Sequence, residues 1–162
     1  MSTHTFKVRT PDTATDIEAV RTLFLEYANS LGVDLCFQNF QAELAGLPGD
    51  YVAPRGALLT ASSSGELAGC CALRPLDTAD YPNACEIKRL YVRQSFRGHG
   101  IGRLLAESIL NAAKQASYSY ALLDTLTEME SARSLYEDLG FIEVPPYYFN
   151  PIEGAHYLMV KL

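Results

Sequence analysis

The stretch Arg97-Gly98-His99-Gly100-Ile101-Gly102 constrains this chain more than any other. A strand-like run, Cys85 to Val92, leads up to it, and an amphipathic run beginning at Ile101 leaves it. Three alternating glycines permit positive φ and let a ligand approach the backbone closely. The first turn of a new helix adds unpaired N–H groups and the positive end of its dipole, which together attract phosphate oxygens. Arg97 and Arg103 flank the cluster with positive charge. The same residues would also serve as a tight solvent-exposed turn, so the neighbouring elements have to decide.

After the loop, Ile101, Leu104, Leu105, Ser108, Ile109 and Ala112 keep the spacing of one helical face. Tyr120 to Leu126 then reads as a buried strand, parallel to the one before the helix because a helical crossover joins them. Ligands of open α/β sheets bind outside the carboxyl ends of such strands, where the glycine loop and Asp124-Thr125 both lie. A further helix is predicted from about Glu128 to Leu139, with Met129, Ala132, Leu135, Tyr136 and Leu139 on one stripe and Gly140 as its stop.

Upstream, Phe6 to Thr10 alternates as a strand, and Thr13 to Asp16 offers capping residues. A helix follows through Ile17, Val20, Phe24, Ala28 and Leu31, ending near Gly32. Phe37, Phe40, Leu44 and Leu47 predict a second helix stopped by Pro48-Gly49. Ala57 to Ala61 and Glu66 to Arg74 form a hairpin about a Ser/Gly turn, and Cys85 to Val92 is its antiparallel neighbour across the loop Asp77 to Asn83. Phe141 to Val144 and Ala155 to Leu162 are the last strands. The loop Pro145 to Gly154 between them, rich in proline and aromatics, is either a rigid arm over the core or one wall of a substrate pocket.

One domain over residues 1–162 is the simplest organisation, because a chain of this length buries a core without disulfides or metal. Hydrophobic residues at 48% and charged residues at 20% exclude disorder. No apolar run approaches the ~18 residues that cross a bilayer. Met1 to Lys7 lacks a signal-peptide core, so a cytoplasmic protein with no membrane partner is expected. Thirteen basic against nineteen acidic residues, net −6, argue against nucleic acid as a partner. Cys36, Cys70, Cys71 and Cys85 form no CxxC pair, and His4, His99 and His156 are scattered, so reduced thiols and no metal are expected. Cys70 and Cys71 are neighbours in a strand and should face opposite ways.

The strand before the loop is unusual, because Glu86, Lys88 and Arg89 interrupt its apolar run. Charges are seldom buried unless paired or in use. Glu86 and Lys88 share one face, and either they form an ion pair or that face lines a wet cleft.

The order of strand, Arg97-x-x-Gly100-x-Gly102, amphipathic helix, strand and Ala132-x-x-x-Tyr136-x-x-x-Gly140-Phe141 resembles the GNAT superfamily of acetyl-CoA-dependent N-acetyltransferases. The flanking elements fit as well, so the resemblance covers nearly the whole chain. It implies an α/β (α+β) fold, a mixed, mostly antiparallel central sheet flanked by helices, with acetyl-CoA as cosubstrate and an amine as acceptor. By this resemblance the loop of Arg97, Gly98, His99, Gly100, Ile101, Gly102 and Arg103 holds the pyrophosphate, mainly through backbone N–H groups. Leu90, Tyr91 and Val92 pair with the pantetheine arm, and a backbone N–H polarises the thioester carbonyl. Tyr136 resembles the general acid that protonates the departing CoA thiolate. Glu86 stands where histone-acetylating members carry a glutamate base. An acceptor ammonium, pKa ~10, has no lone pair until such a base acts, directly or through water.

Met129 departs from the pattern, since many members carry a pantetheine-contacting asparagine there; Ser131 and Thr125 are the candidates to replace it. The leading expectation is direct transfer in a ternary complex to a primary amine, small molecule or peptide. Cys85 beside Glu86 leaves an acetyl-enzyme open, and a non-catalytic acyl-CoA-binding or regulatory module is the alternative from another class. The superfamily sets its acceptor with the first two helices and the loop before the last strand, which here hold Tyr27, Phe37, Phe40, Tyr51, Tyr147, Tyr148 and Phe149. An aromatic cleft with acidic charge suits an amine, and Tyr91 could also line it. Core packing accounts for the same aromatics. Exposed sheet edges leave room for a homodimer.

Overall fold

The computed structural model describes residues 5–32, 39–78, 80–126 and 130–162. His4, Cys36, Phe37, Glu128 and Met129 lie outside the described residues. In chain order the elements are β1 (Lys7–Arg9), α1 (Ala14–Leu31), α2 (Phe40–Ala45), β2 (Ala57–Ser63), β3 (Glu66–Leu76), β4 (Ala84–Val92), a 3-10 turn (Gln94–Phe96), α3 (Ile101–Gln115), β5 (Tyr120–Leu126), α4 (Glu130–Asp138), β6 (Ile142–Val144) and β7 (Ala155–Lys161). The strands form one sheet in the order β1-β2-β3-β4-β5-β7-β6. All neighbours are antiparallel except β4 and β5, which α3 joins as a crossover. Among the described residues no helix is long and apolar enough to cross a membrane.

Local chemistry sets the helix ends. Thr13 and Asp16 close a capping box, the Thr13 hydroxyl accepting the Asp16 N–H at 3.1 Å and the Asp16 carboxylate accepting the Thr13 N–H at 3.4 Å. The helix predicted from Phe37 through Leu47, of which Phe37 lies outside the described residues, ends earlier than its apolar spacing implies, because Gly46 ends α2 after Ala45. Leu47 lies beyond the helix yet stays buried in the same core. At the end of α4, Gly140 N–H bonds the Glu137 carbonyl and Phe141 N–H the Tyr136 carbonyl, both at 3.0 Å. The Phe141 ring stands edge-on to Tyr136, with centroids 5.4 Å apart. The spacing Tyr-x-x-x-Gly-Phe is therefore a Schellman ending with its apolar clasp, and it fixes Tyr136 on the sheet.

The sheet divides two cores. Leu105 and Ile109 of α3 with Tyr136 and Phe141 pack on Leu73, Cys85 and Ile87 on one face. Val20, Leu23 and Phe24 of α1 with Phe40 and Leu44 of α2 pack on Leu58 and Cys70 on the other. Each such side chain contributes about 1.5–3 kcal/mol by leaving water. Cys70 and Cys71 fall in opposite cores, as their adjacency in β3 requires.

One irregularity shapes the middle of the sheet. Ala72 pairs with Lys88 and Cys70 with Tyr91, so Arg89 and Leu90 together oppose Cys71 alone. This is a β-bulge, with Arg89 in the left-handed region at φ 61. It presses the Tyr91 carbonyl against β3, where a Cβ on Gly69 would stand 2.4 Å from that oxygen. Only glycine fits there. The Arg89 side chain crosses to α2, its Nε 2.8 Å and its Nη2 3.0 Å from the two oxygens of Glu43, with the guanidinium over the rings of Phe40 and Tyr27. Burial alone would lower the Arg89 pKa, but its bonds to Glu43 and that carboxylate's charge raise it overall. β4 and β5 part just ahead of the bulge: their pairing runs only from Ala84↔Tyr120 to Glu86↔Leu122.

Two substitutions test this reading. Gly140→Ala has room, since its Cβ would meet only Val160 Cγ2 at 3.7 Å, so the expected cost is the left-handed conformation at φ 96, about 1–2 kcal/mol by urea unfolding. Glu43→Gln leaves the buried Arg89 guanidinium without its ionic partner, and a loss of roughly 3–5 kcal/mol is expected in the same measurement. A loss below about 1 kcal/mol would show that the bulge does not depend on this pair.

Candidate active site

Where β4 and β5 part, a slot opens between them. Ile87, Lys88, Arg89 and Leu90 line one side, Leu123 to Leu126 the other, and Tyr136, Tyr27 and Asn150 close it. It encloses about 40 Å³, a slot rather than a chamber. The β4–β5 ladder stops at Glu86↔Leu122, so among the described strands none bridges the gap, and its shape suits an extended chain laid along the strand edge. Leu90 leads along β4 to Tyr91 and Val92 at its mouth. Tyr136 is 6% exposed, and burial pushes its ionisation well above 10, so its hydroxyl is protonated at neutral pH. Thr125 also lines the slot, whereas Met129 and the Ser131 side chain lie outside the described residues.

The glycine loop follows β4 and the 3-10 turn. Gly98 at φ 87 and Gly100 at φ 79 are left-handed with open space where a Cβ would be, so conformation rather than crowding demands glycine. Gly100 caps α3 without any side-chain acceptor. Leu104 N–H is the donor that bonds back to the Gly100 carbonyl, at 3.0 Å, which leaves the N–H groups of Ile101, Gly102 and Arg103 ahead of the first helical acceptor. These donors and the helix dipole form an anion cradle. Arg97 donates from Nε to the Val92 carbonyl at 3.0 Å, tying the loop to its strand. Arg103 pairs with Asp138 at 3.0 Å and Glu107 at 3.7 Å, so part of its charge is already engaged toward α4. His99 is exposed, its ring tilted against Phe6.

On the α1/α2 face of β4, Glu86 is 2% exposed. Its Oε1 accepts from Arg74 Nε at 2.9 Å and Nη2 at 2.8 Å, and its Oε2 accepts the Tyr147 hydroxyl at 2.7 Å. The charges of this strand serve both purposes weighed from the sequence. Glu86 is ion-paired, but with Arg74 from β3 opposite it, and it also lines a pocket of about 350 Å³ with Lys88, Tyr147 and Tyr148. Lys88 is buried between this pocket and the slot. Burial lowers its pKa, and the neighbouring Glu86 carboxylate opposes that effect.

The arm from Pro145 to Gly154 is tied down at two carboxylates. Tyr147 bonds Glu86, while Tyr148 donates to Asp124 and Asn150 donates to the same Asp124 oxygen from Nδ2 at 2.8 Å. Its two proposed roles therefore coincide, since the ties that hold it make it a pocket wall. The aromatics expected at the acceptor divide. Tyr147 and Tyr148 line the pocket and Tyr27 the slot, Phe40 and Tyr51 belong to the α1/α2 core, and Phe149 is 84% exposed. Tyr91 packs on α1, edge-on to Tyr27 and bonded to Glu26, outside the Glu86 pocket. Cys85 points into the α3 core, its thiol donating to the Tyr120 carbonyl at 3.4 Å, and burial raises both Cys71 and Cys85 to about 12. Neither is a thiolate at neutral pH.

Arg74 and the ties of Tyr147, Tyr148 and Asn150 escape a linear reading of the sequence. A hairpin centred on Asp80 would have given Arg74, because Leu76 pairs with Ala84 and the count back from there sets Arg74 opposite Glu86.

The sequence matches the Acetyltransferase (GNAT) family over residues 17–141. An uncharacterized N-acetyltransferase of Schizosaccharomyces pombe is 38% identical over 91% of this chain and 89% of that protein. Another from Dictyostelium discoideum is 32% identical over 90% and 94%. A GNAT-family acetyltransferase of Staphylococcus aureus shares the fold with a TM-score of 0.78 at 18% identity, covering 97% of this chain and 99% of that one. A Salmonella typhimurium protein solved with its cofactor acetyl-CoA shares it with a TM-score of 0.68 at 15% identity, covering 96% and 93%. The mixed sheet with its single parallel step between β4 and β5 is the architecture expected from the sequence motifs. The chain belongs to the GNAT acetyltransferase family, and with it to the acetyl-CoA-dependent acyltransferases.

Proposed function

We propose that this protein transfers the acetyl group of acetyl-CoA directly to a primary amine of a small molecule or a peptide, with both substrates bound together. The observation that carries this reading is the meeting of the β4–β5 slot and the Glu86 pocket at Lys88. One cavity is built of backbone and suits an extended thioester arm. The other is built of polar side chains and suits an amine.

The N–H groups of Gly98, Gly100, Ile101 and Gly102 hold the pyrophosphate, with Arg97 and the partly engaged Arg103 adding charge. Open backbone groups at Leu90, Tyr91 and Val92 bond the pantetheine arm and orient the thioester carbonyl. Glu86 is the final acceptor of the ammonium proton, and Tyr136 offers its hydroxyl proton to the departing sulfur. The buried thiols of Cys71 and Cys85, raised to about 12, favour direct attack over an acetyl-enzyme.

Tyr136→Phe keeps the ring and removes the proton. Its kcat should fall roughly 10²-fold or more while the Kd for acetyl-CoA by calorimetry stays unchanged. Unchanged turnover where chemistry limits the rate would remove Tyr136 from this role. A wild-type protein that binds acetyl-CoA and acetylates nothing in a broad amine library would be an acyl-CoA-binding module instead.

A further inference from the structure

The geometry points to Tyr147 as the group that relays the acceptor's proton to Glu86, an inference that rests on the amine-acetylation reading above. Glu86 is 2% exposed, with Arg74 on Oε1 and the Tyr147 hydroxyl on Oε2 at 2.7 Å. An ammonium in the pocket therefore does not meet the carboxylate first. Tyr147 lines the same pocket, and because its proton is directed at Glu86, its oxygen lone pairs are directed elsewhere. Its ring is packed edge-on or tilted against Tyr148 and Tyr157, with centroids 5.3 and 5.4 Å away, so the hydroxyl needs no search for its position.

The transfer balances simply. An acceptor N–H bond breaks and its proton goes to Tyr147 Oη, while the proton already on Tyr147 goes to Glu86 Oε2. Tyr147 ends neutral, as it began, and Glu86 ends as a carboxylic acid. The freed nitrogen lone pair forms the C–N bond at the thioester carbonyl, and the C–S bond breaks with its electrons on sulfur, which takes the Tyr136 proton. The second N–H proton, shed as the amide forms, leaves to solvent, from which Tyr136 is reprotonated. The two proton steps are coupled, because burial and the charges of Glu86 and Asp124 hold Tyr147 far above its ordinary range and disfavour a tyrosinate. The other groups facing this pair are Arg74 from β3, Lys88 from β4, Asp124 from β5, Tyr148 from the arm and Asp77 at the pocket rim.

The test compares wild type, Tyr147→Phe, Glu86→Gln and the double variant. Each is assayed with acetyl-CoA against an amine library that includes ethylamine, spermidine, glycine and an alanyl peptide. The fastest amine is followed over roughly three pH units below its own ammonium pKa, ~10 for an alkylamine and ~8 for a peptide α-amine. Phenylalanine keeps the ring packing, and thermal melts verify that each variant folds. For wild type, kcat/KM for the amine should rise by much less than about tenfold per pH unit across this range, because the relay accepts the ammonium. Tyr147→Phe should lose roughly 10²-fold near neutral pH and then climb about tenfold per pH unit, because only free amine reacts. Glu86→Gln should show the same slope, the double variant should be no worse than the singles, and KM for acetyl-CoA should not move. A Tyr147→Phe profile parallel to wild type, or a tenfold slope already present in wild type, would overturn the relay while leaving acetyl transfer standing. Failure of wild type to acetylate anything in the library would overturn both.

Discussion

The ion pair between Arg89 and Glu43 is the contact on which the rest of this site depends. A bulge with a non-glycine residue in the left-handed region costs on the order of 1–2 kcal/mol and persists only where its surroundings over-determine it. Here the surroundings are a carboxylate from α2, two aromatic faces and the glycine at position 69 that lets β3 accept the displaced Tyr91 carbonyl. The bulge follows the point where β4 leaves β5 at Glu86↔Leu122, so the backbone groups of the second half of β4 are not spent on a ladder with β5. The slot is thus a defect in pairing, flanked by a charge pair on the far face of the sheet.

The glycine loop and the ending of α4 were legible in the sequence because they are made of local features. Glycines at positions 98 and 100, the start of an amphipathic helix, and the Tyr-x-x-x-Gly-Phe ending of α4 each depend on residues within a turn or two of one another. The sheet order followed from chain connectivity, since a hairpin, a meander and one helical crossover leave few arrangements. The acceptor half was not legible for the opposite reason. Arg74 and Glu86 are 12 positions apart, Tyr148 and Asp124 are 24, Arg89 and Glu43 are 46, and Tyr147 and Glu86 are 61. Such pairs are fixed only once strand register and the path of the last hairpin are known. The bulge itself has no sequence signal at Arg89, because nothing in that residue's chemistry prefers positive φ.

The same division bears on what this family can vary. A cradle of backbone N–H groups and a strand edge tolerate many side chains, provided glycine stands where φ is positive. The pocket above Glu86 is built from side chains of β3, β4 and the arm, so a change at Arg74, Tyr147 or Tyr148 alters that pocket and leaves the glycine loop in place. The fold therefore carries its shared chemistry in the main chain and its individual chemistry in long-range side-chain contacts.

Three charged residues within four positions of a central strand are hard to justify by stability. Breaking a buried ion pair is destabilising, yet replacing the whole pair with well-packed apolar groups is often neutral or favourable. Glu86 with Arg74 and Arg89 with Glu43 would thus be candidates for loss if packing were their only role. Each does something an apolar pair could not. Arg89 holds a backbone conformation that no local preference supplies, and Glu86 fixes the Tyr147 hydroxyl in one orientation at the pocket wall. Lys88, between them on the strand, faces both cavities at once. The charges of β4 are arranged where two substrates would meet, which is the reason a buried strand can carry them.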